Sequence, residues 1–340
     1  MINRVFRDHS KGFKLFIIGS ISCACTLASN KLQANDLEAE STKVEHYQSI
    51  YYCDYPLWYD DWYCNFNKQL DETVNDLNRW FYVKTKQPAP SAAVASGKIR
   101  LGWEPRSGDL NQFDTRFKIR VKLPALKDRV ELLFTDEEDD INQQSVKAAR
   151  NKELGNQEET TVAIQFREDV KSPMSYRVGF GRGGQLYTRA RYSKGQNYGN
   201  DGKLAYFSEL HYYSGDKFGA ELNARYTHTF TDSQALEFSN SFRYRDNRKD
   251  WFWRHELKYL HMLGAEQSLL FTAMIDGLSK PSYRSEQRLL SIRYKRNILR
   301  PWLFVELEPF MLWLREEDFR TSYGVALRLE IHFPDDSLLY

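Results

Sequence analysis

The sequence lacks the features that mark a helical membrane protein, a nucleic-acid binder or a cofactor enzyme. It contains no apolar run near the ~20 residues that a spanning helix needs, and its mean hydropathy is -0.64. The formal net charge is only +2 over 340 residues, which excludes a strongly basic nucleic-acid binder and an acidic tail protein. No Gly-rich phosphate loop, zinc-ligand spacing or dinucleotide fingerprint occurs, so we expect no cofactor and no nucleic-acid partner.

Aromatic residues, by contrast, are abundant. Phe, Trp and Tyr make up 15% of the chain, as 21 Phe, 8 Trp and 21 Tyr, a content far above that of disordered chains. A chain that is polar on average and yet rich in aromatic side chains is typical of an outer-membrane barrel. In such a barrel, half of the strand residues face lipid and half face a wet interior.

The N-terminus has the pattern of an export signal. Four basic residues precede an apolar stretch at 15–27; they are Arg4, Arg7, Lys11 and Lys14. The stretch is too short to span a bilayer as a helix, so a cleaved secretory signal fits better than a retained anchor. Small residues at Ala28 and Ala34 suit cleavage, and we assign residues 1–34 to the signal peptide.

Two cysteines remain after the signal, Cys53 and Cys64, in the aromatic segment YYCDYPLWYDDWYCNF. An exported chain meets an oxidising compartment, which predicts a disulfide that closes a short loop. Two unpaired buried thiols are the alternative. A metal site is less well supported, because no His lies within the loop and two thiolates do not complete a tetrahedral shell.

The next segment predicts one amphipathic helix, over 65–82. Apolar residues recur there at steps of three and four, namely Leu70, Val74, Leu77 and Phe81. A tract of Pro and small residues at 87–97 then indicates a linker. We assign residues 35–95 to a periplasmic segment that carries the disulfide, the helix and the linker. The helix could plug the barrel, lie under its periplasmic mouth or bind a periplasmic protein, and the periplasmic-side position is favoured over a simple tether.

From 96 to 333 the recurring signal is alternation. The clearest stretch puts largely apolar side chains on one face and basic ones on the other, a pattern that only an extended strand presents. The two faces are Thr115, Phe117, Ile119, Val121, Leu123 and Arg116, Lys118, Arg120, Lys122. About fourteen such segments fit strands of ~9–11 residues with mostly short turns, and twelve is the alternative count. An even count puts both ends of the sheet on one side and the acidic insert at 135–160 on the outer side.

Alternation alone does not separate a barrel in lipid from a soluble sandwich. Long charged groups at many central positions of the polar face favour a wet lumen, and the export signal supplies the route to the outer membrane. Aromatic residues also fall near predicted strand ends, where interfacial girdles lie: Trp103, Tyr192, Trp251, Trp253, Trp302, Trp313, Tyr323 and Phe333. The predicted fold is an all-β, antiparallel, up-and-down transmembrane barrel over 96–333.

The last predicted strand is the most specific piece of sequence. Apolar residues alternate with polar or small ones from Tyr323 to Phe333, and the segment resembles the C-terminal targeting strand of bacterial outer-membrane barrels. That resemblance implies recognition by the barrel-assembly machinery. The chain departs from the pattern because it continues through 334–340, which we assign to a C-terminal extension.

The chain from about 96 onward also resembles a family of uncharacterised outer-membrane β-barrel proteins of Gram-negative bacteria. The resemblance is carried by the Arg-rich strand that ends in LPAL, the acidic DEEDD after the next strand, the hairpin RYKRNILRPWLFVELEP and the closing VALRLEIHF. It covers about seven tenths of the chain. It implies the fold and a place in the outer membrane, and no activity comes with it.

The predicted interior is rich in basic residues, and two interpretations stay open. The lumen-lining set is Lys98, Arg100, Arg116, Lys118, Arg120, Lys122, Arg189, Arg191, Arg225, Arg243, Arg293, Glu306 and Glu308. A positive wall favours anions, which predicts a passive pore. Alternatively, these charges pair with glutamates across strands and fill the interior. That would make a closed structural or assembly-linked barrel that binds a periplasmic partner.

Two further functions are weaker. The five carboxylates at 136–140 could hold Ca²⁺ or Mg²⁺ against lipopolysaccharide, but their spacing does not match the calcium loop and a solvated loop is favoured. A lipid hydrolase such as outer-membrane phospholipase A needs His-x-Ser on a lipid-facing strand, and no mature segment contains it. An enzyme is therefore not expected, and the expected partners are outer-membrane lipid, lipopolysaccharide, the barrel-assembly machinery and a periplasmic protein.

Overall fold

The computed structural model describes residues 57–85, 93–126, 129–135, 146–149, 161–169, 171–181 and 184–333. Several predictions fall outside these ranges. They are the signal peptide at 1–34, Cys53, the acidic run at 136–140 and the C-terminal extension at 334–340.

A closed barrel of fourteen antiparallel strands forms the body of the molecule, as predicted. The strands are β1 (Val94–Trp103), β2 (Phe113–Lys122), β3 (Val130–Thr135), β4 (Thr161–Phe166), β5 (Met174–Gly181), β6 (Gln185–Tyr198), β7 (Gly202–Tyr213), β8 (Lys217–Thr231), β9 (Gln234–Arg245), β10 (Asp250–Gly264), β11 (Gln267–Leu278), β12 (Arg284–Ile298), β13 (Arg300–Leu314) and β14 (Thr321–Phe333). Each strand pairs with its neighbours in the sequence, and β14 closes on β1 with Ile331 opposite Ile99. Closure gives each of these strands a partner on both sides, which a barrel in lipid requires.

The two faces of the wall are reversed relative to a soluble protein. Apolar side chains point outward and stay exposed, as with Ile164 at 53%, whereas inward charged side chains are buried, as with Arg254 at 1%. A soluble sheet would hide its apolar face instead. The exposed apolar wall and the charged interior make the chain an outer-membrane transmembrane barrel.

Because the number of strands is even, β1 begins and β14 ends at the same end of the barrel, called here the terminal end. The opposite end is called the loop end. The hairpins after β6, β8 and β10 lie at the terminal end and are short, at 199–201, 232–233 and 265–266. The connection from β3 to β4, which includes the predicted acidic insert, leaves from the loop end.

Helix α1 (Trp58–Thr85) precedes the barrel. It begins seven residues before the prediction, because the first turn carries Asp60 and Asp61, which favour a helix N-terminus. The helix length is about 42 Å at 1.5 Å per residue. No helix of the described residues is both long and apolar enough to cross a membrane. Cys64 in this helix is disulfide-bonded, and its pairing with Cys53 stays a prediction.

The helix does not plug the lumen. Its apolar stripe packs on outward-facing residues at the terminal end, where Val74 contacts a cluster that contains Val121 and Leu123. These two residues alternate with the inward-facing Arg116 and Arg120, so the helix covers the outer surface of the wall. The plug alternative is therefore wrong for α1, and the reason is that its stripe matches apolar residues on the outer face.

The N-terminal half of α1 is fixed to the rim near the closing strand. The Tyr63 ring stacks on Trp302 with centroids 4.1 Å apart, and its hydroxyl donates a hydrogen bond of 2.9 Å to the His332 carbonyl. Phe333 belongs to the same buried cluster. Trp302 and Phe333, predicted to form an aromatic girdle in contact with lipid, are instead covered by this helix.

A short piece of the β3–β4 connection lies inside the barrel. Val146 and Ala149 are fully buried in a cluster of inward-facing residues that contains Met274, Leu289, Phe310, Leu312, Leu314 and Ala326. The Gln287 amide donates a hydrogen bond of 2.5 Å to the Ala149 carbonyl. An apolar patch inside a wet barrel needs a cover, and residues 146–149 supply it.

Candidate functional site: the barrel interior

The interior is built by strand alternation, which points every second side chain inward. The predicted lumen-lining residues occupy inward positions. They share the inner face of the wall with the buried charged side chains and alternate with the outward side chains. On β1 and β2, for example, Arg100 stands opposite Arg116, and Lys98 stands opposite Lys118. Lys122 is exposed at the terminal end.

Most inward arginines form ion pairs across the lumen wall. Six of these pairs, called here the lumenal ion pairs, are Arg100–Glu330 at 2.8 Å, Arg116–Asp114 at 3.0 Å, Arg191–Glu209 at 2.6 Å, Arg243–Glu221 at 2.8 Å, Arg254–Asp276 at 2.7 Å and Arg293–Glu308 at 2.9 Å. All but Arg191 have side chains that are at least nine-tenths buried. Pairing of this kind offsets the cost of desolvating each charge. It also neutralises much of the positive wall that the sequence predicts.

The largest cluster crosses the seam at which β14 closes on β1. Arg328 contacts three carboxylates, with distances of 2.7 Å to Glu104 and 3.4 Å to Glu306 and a close contact to Glu308. Its side chain is fully buried. Neither Arg328 nor Glu104 is in the predicted lumen-lining set, although Arg328 lies on the inward face of the last alternating strand, and that parity could have identified it.

A second cluster lies on β6 and β7. Arg189 and Arg191 both contact Glu209, at 3.1 Å and 2.6 Å, and His211 lies 3.4 Å from the same carboxylate. The Arg191 guanidinium also sits over the Phe207 ring, 4.2 Å from its centroid. One carboxylate thus faces two guanidinium groups, which leaves this part of the wall net positive.

A cavity of about 780 Å³ occupies the terminal half of the barrel along β6–β11. Its inward-facing charged side chains are four cations and two carboxylates, a net charge of +2: Arg191, Lys203, Arg225, Lys258, Glu237 and Glu256. Lys194 also borders the cavity, but its position alternates with inward-facing Ser193 and Gly195, so its side chain points outward. Its neutral polar lining is Ser193, Asn223, Thr227, Ser239 and Ser241. The cavity therefore combines excess positive charge with hydroxyl and amide groups that can solvate an ion.

The cations of this cavity are partly paired. Arg225 lies 3.4 Å from Glu237, and Lys258 lies 2.9 Å from Glu256. Lys203 has no carboxylate within 4.0 Å among the described residues. The excess charge is consequently carried by groups that face open solvent in the cavity rather than by the buried pairs.

The interior presents no metal site in the part of the chain that the structure describes, since no group of three or more His, Cys, Asp or Glu could hold an ion there. The arrangement required by a lipid hydrolase is also not assembled around His255. Its ring bonds Asn240 at 2.5 Å on the outward face, and the position two residues later is Leu257 rather than a nucleophile.

The chain matches no protein-family model and no curated protein sequence. Among solved structures it is similar to the outer membrane channel DcaP of Acinetobacter baumannii, with 8% identity and a TM-score of 0.44 over 71% of this chain and 97% of that one. OmpT of Vibrio cholerae gives 8% identity and a TM-score of 0.44 over 71% and 97%. The anion-selective porin from Comamonas acidovorans gives 8% identity and a TM-score of 0.41 over 71% and 99%. Similarities this distant assign no solute, and the closed barrel rests on the strand pairing above.

Proposed function

We propose that this outer-membrane barrel is a narrow channel that favours small anions. The observation that carries the proposal is the cavity on β6–β11, in which four cationic side chains face two carboxylates. Rings of basic side chains select anions because they lower the electrostatic energy of a negative ion and raise that of a positive one.

The lumenal ion pairs set the width of the proposed path. Their buried side chains fill the interior at their own level, so the open part of the lumen is smaller than fourteen strands alone would give. Residues 146–149 fill a further part of the lumen beside β11–β14. We therefore expect a small single-channel conductance, and a path for ions that follows the β6–β11 side of the wall.

The proposal is tested in planar lipid bilayers with the purified, folded protein. A KCl gradient should give a reversal potential of the sign expected for chloride preference. No conductance, or a preference for potassium, would refute the channel as proposed. Migration on a gel before and after boiling should first show that the barrel is folded.

A closed barrel with a structural or assembly role is the second candidate. It is favoured by the burial of the lumenal ion pairs and by the apolar seat of residues 146–149 inside the lumen. This candidate predicts no conductance in the wild type. It also predicts that a periplasmic protein co-purifies with the full chain and is lost when residues 57–85 are removed.

A further inference from the structure

The outer side of helix α1 exposes an aromatic surface that ion conduction does not use. Trp58, Trp62 and Trp80 are 79%, 42% and 55% exposed. The helix lies on the outward face of the barrel, and the exposed apolar wall continues beside it with Leu101 at 46% and Leu327 at 41%. The tryptophans are thus neighbours of the surface that contacts lipid.

Helical geometry places Trp62 and Trp80 on a different line from the charged residues of the helix. Trp62 and Trp80 are eighteen residues apart, about five turns, so they lie on one line along the helix. Asp61 and Arg79 are also eighteen residues apart and lie on a second line, about 100° away. Helix α1 therefore has an aromatic flank, along Trp62 and Trp80, and a charged flank, along Asp61 and Arg79.

Contacts with the barrel define which flank faces the middle of the membrane. The side chains of Asn75 and Asn78 accept hydrogen bonds of 3.1 Å and 3.0 Å from the backbone of Ala93 and Ala125. Both backbone groups lie at the terminal rim, so this side of the helix faces the terminal end of the barrel and not the middle of the membrane. Trp80 is about 200° around the helix from Asn78. The aromatic flank therefore faces the middle of the membrane, along the apolar wall.

The rings on the aromatic flank join the cluster that covers the barrel seam. Trp62 stacks on Phe66 with centroids 5.8 Å apart, and Phe66 lies 4.7 Å from Phe333 at the end of β14. The exposed Trp62 ring therefore continues through Phe66 into the apolar cluster at the end of β14.

We propose that α1 is an interfacial anchor, whose aromatic flank inserts into the phospholipid leaflet around the terminal end while its charged flank stays in water. Trp prefers this boundary because its ring is apolar and its N–H group is polar. Over 58–81, where the side chains of the helix are described, the exposed charges are Asp61, Lys68, Glu72, Asp76 and Arg79, a net charge of −1. Attraction to anionic lipid consequently does not drive the insertion.

Spin labels on the two flanks test the anchor. Thr73→Cys lies about three turns from Trp62, on the aromatic flank, and Lys68→Cys lies about three turns from Arg79, on the charged flank. The full chain is reconstituted in phosphatidylcholine vesicles, and the accessibility of each label to oxygen and to a water-soluble nickel chelate is measured. Because Cys64 is disulfide-bonded, labelling of the unmodified protein is the control.

The anchor predicts an oxygen-to-nickel accessibility ratio several-fold higher at position 73 than at position 68, with no change when phosphatidylglycerol is added. Equal nickel accessibility at both positions overturns the proposal and leaves a protein partner as the occupant of this face. As a second measurement, brominated phosphatidylcholine should quench a larger share of the emission in the wild type than in Trp62→Phe/Trp80→Phe. Equal quenched shares would also overturn it.

Discussion

Reversing two charges in the cavity should invert the ion preference of the channel. Lys203→Glu and Arg225→Glu together change the charge of the inward lining by four units, from +2 to −2. Both side chains line the cavity, and neither belongs to the lumenal ion pairs. The barrel should therefore fold as before, with its interior charge of opposite sign.

The size of the effect follows from the dimensions of the cavity. A sphere of 780 Å³ has a radius of about 6 Å, so an ion at its centre lies roughly 8 Å from a charge in the wall and interacts by about 0.5 kcal/mol in water. Screening at 0.1 M salt roughly halves this energy. A change of four charge units in the lining then raises the energy of an anion by about 1 kcal/mol and lowers that of a cation by the same amount. The ratio of anion to cation permeability therefore shifts roughly 30-fold.

The assay is the reversal potential in a KCl gradient, compared with a matched control. Lys68→Glu/Arg79→Glu changes the net charge by the same four units on the exposed face of α1, outside the lumen. The control should keep the wild-type reversal potential. An unchanged preference in the cavity variant, or an equal shift in the control, would refute the electrostatic reasoning.

Three further predictions concern stability and the lumen. Arg328→Met leaves three buried carboxylates without their shared cation and should lower the free energy of unfolding in lipid vesicles by about 3–5 kcal/mol; a loss below 1 kcal/mol would contradict the burial described. Gly324→Ala adds a methyl group against the Phe310 ring and should cost about 1–3 kcal/mol, whereas Gly264→Ala, which meets open space, should cost little. Val146→Asp places an unpaired carboxylate in an apolar cluster, so it should release residues 146–149 and raise the single-channel conductance several-fold. The control Val146→Ala should not raise the conductance. An unchanged conductance in Val146→Asp would show that this segment does not restrict the path.

The barrel could be predicted from the sequence because its signal is local. Alternation along ten residues defines a strand, and a count of strands defines the sheet. Some ion pairs follow at the next level, since Glu221 and Arg243 stand opposite each other across one short hairpin. Arg328 and Glu104 are separated by 224 positions and meet only because the last strand closes on the first. The alternation within each strand does not predict which residues the two strands bring together.

The position of α1 was beyond sequence reasoning for a different physical reason. Ile119 and Val121 have the outward, apolar character of residues that contact lipid, and nothing in their own strand distinguishes a helix from acyl chains as the cover. The same limit applies to Val146, whose burial depends on an inward apolar patch assembled from four strands. Such docking surfaces exist only after the wall has closed.

The contact between α1 and the closing seam has a consequence for the order of assembly. The helix precedes β1 in the chain, yet Tyr63 stacks on Trp302 of β13 and Phe66 packs on the last residue of β14. The surface on which the helix packs is therefore incomplete until β14 has paired with β1. Docking of the helix therefore follows closure of the barrel, and an intermediate with an open seam would leave the apolar stripe of the helix exposed.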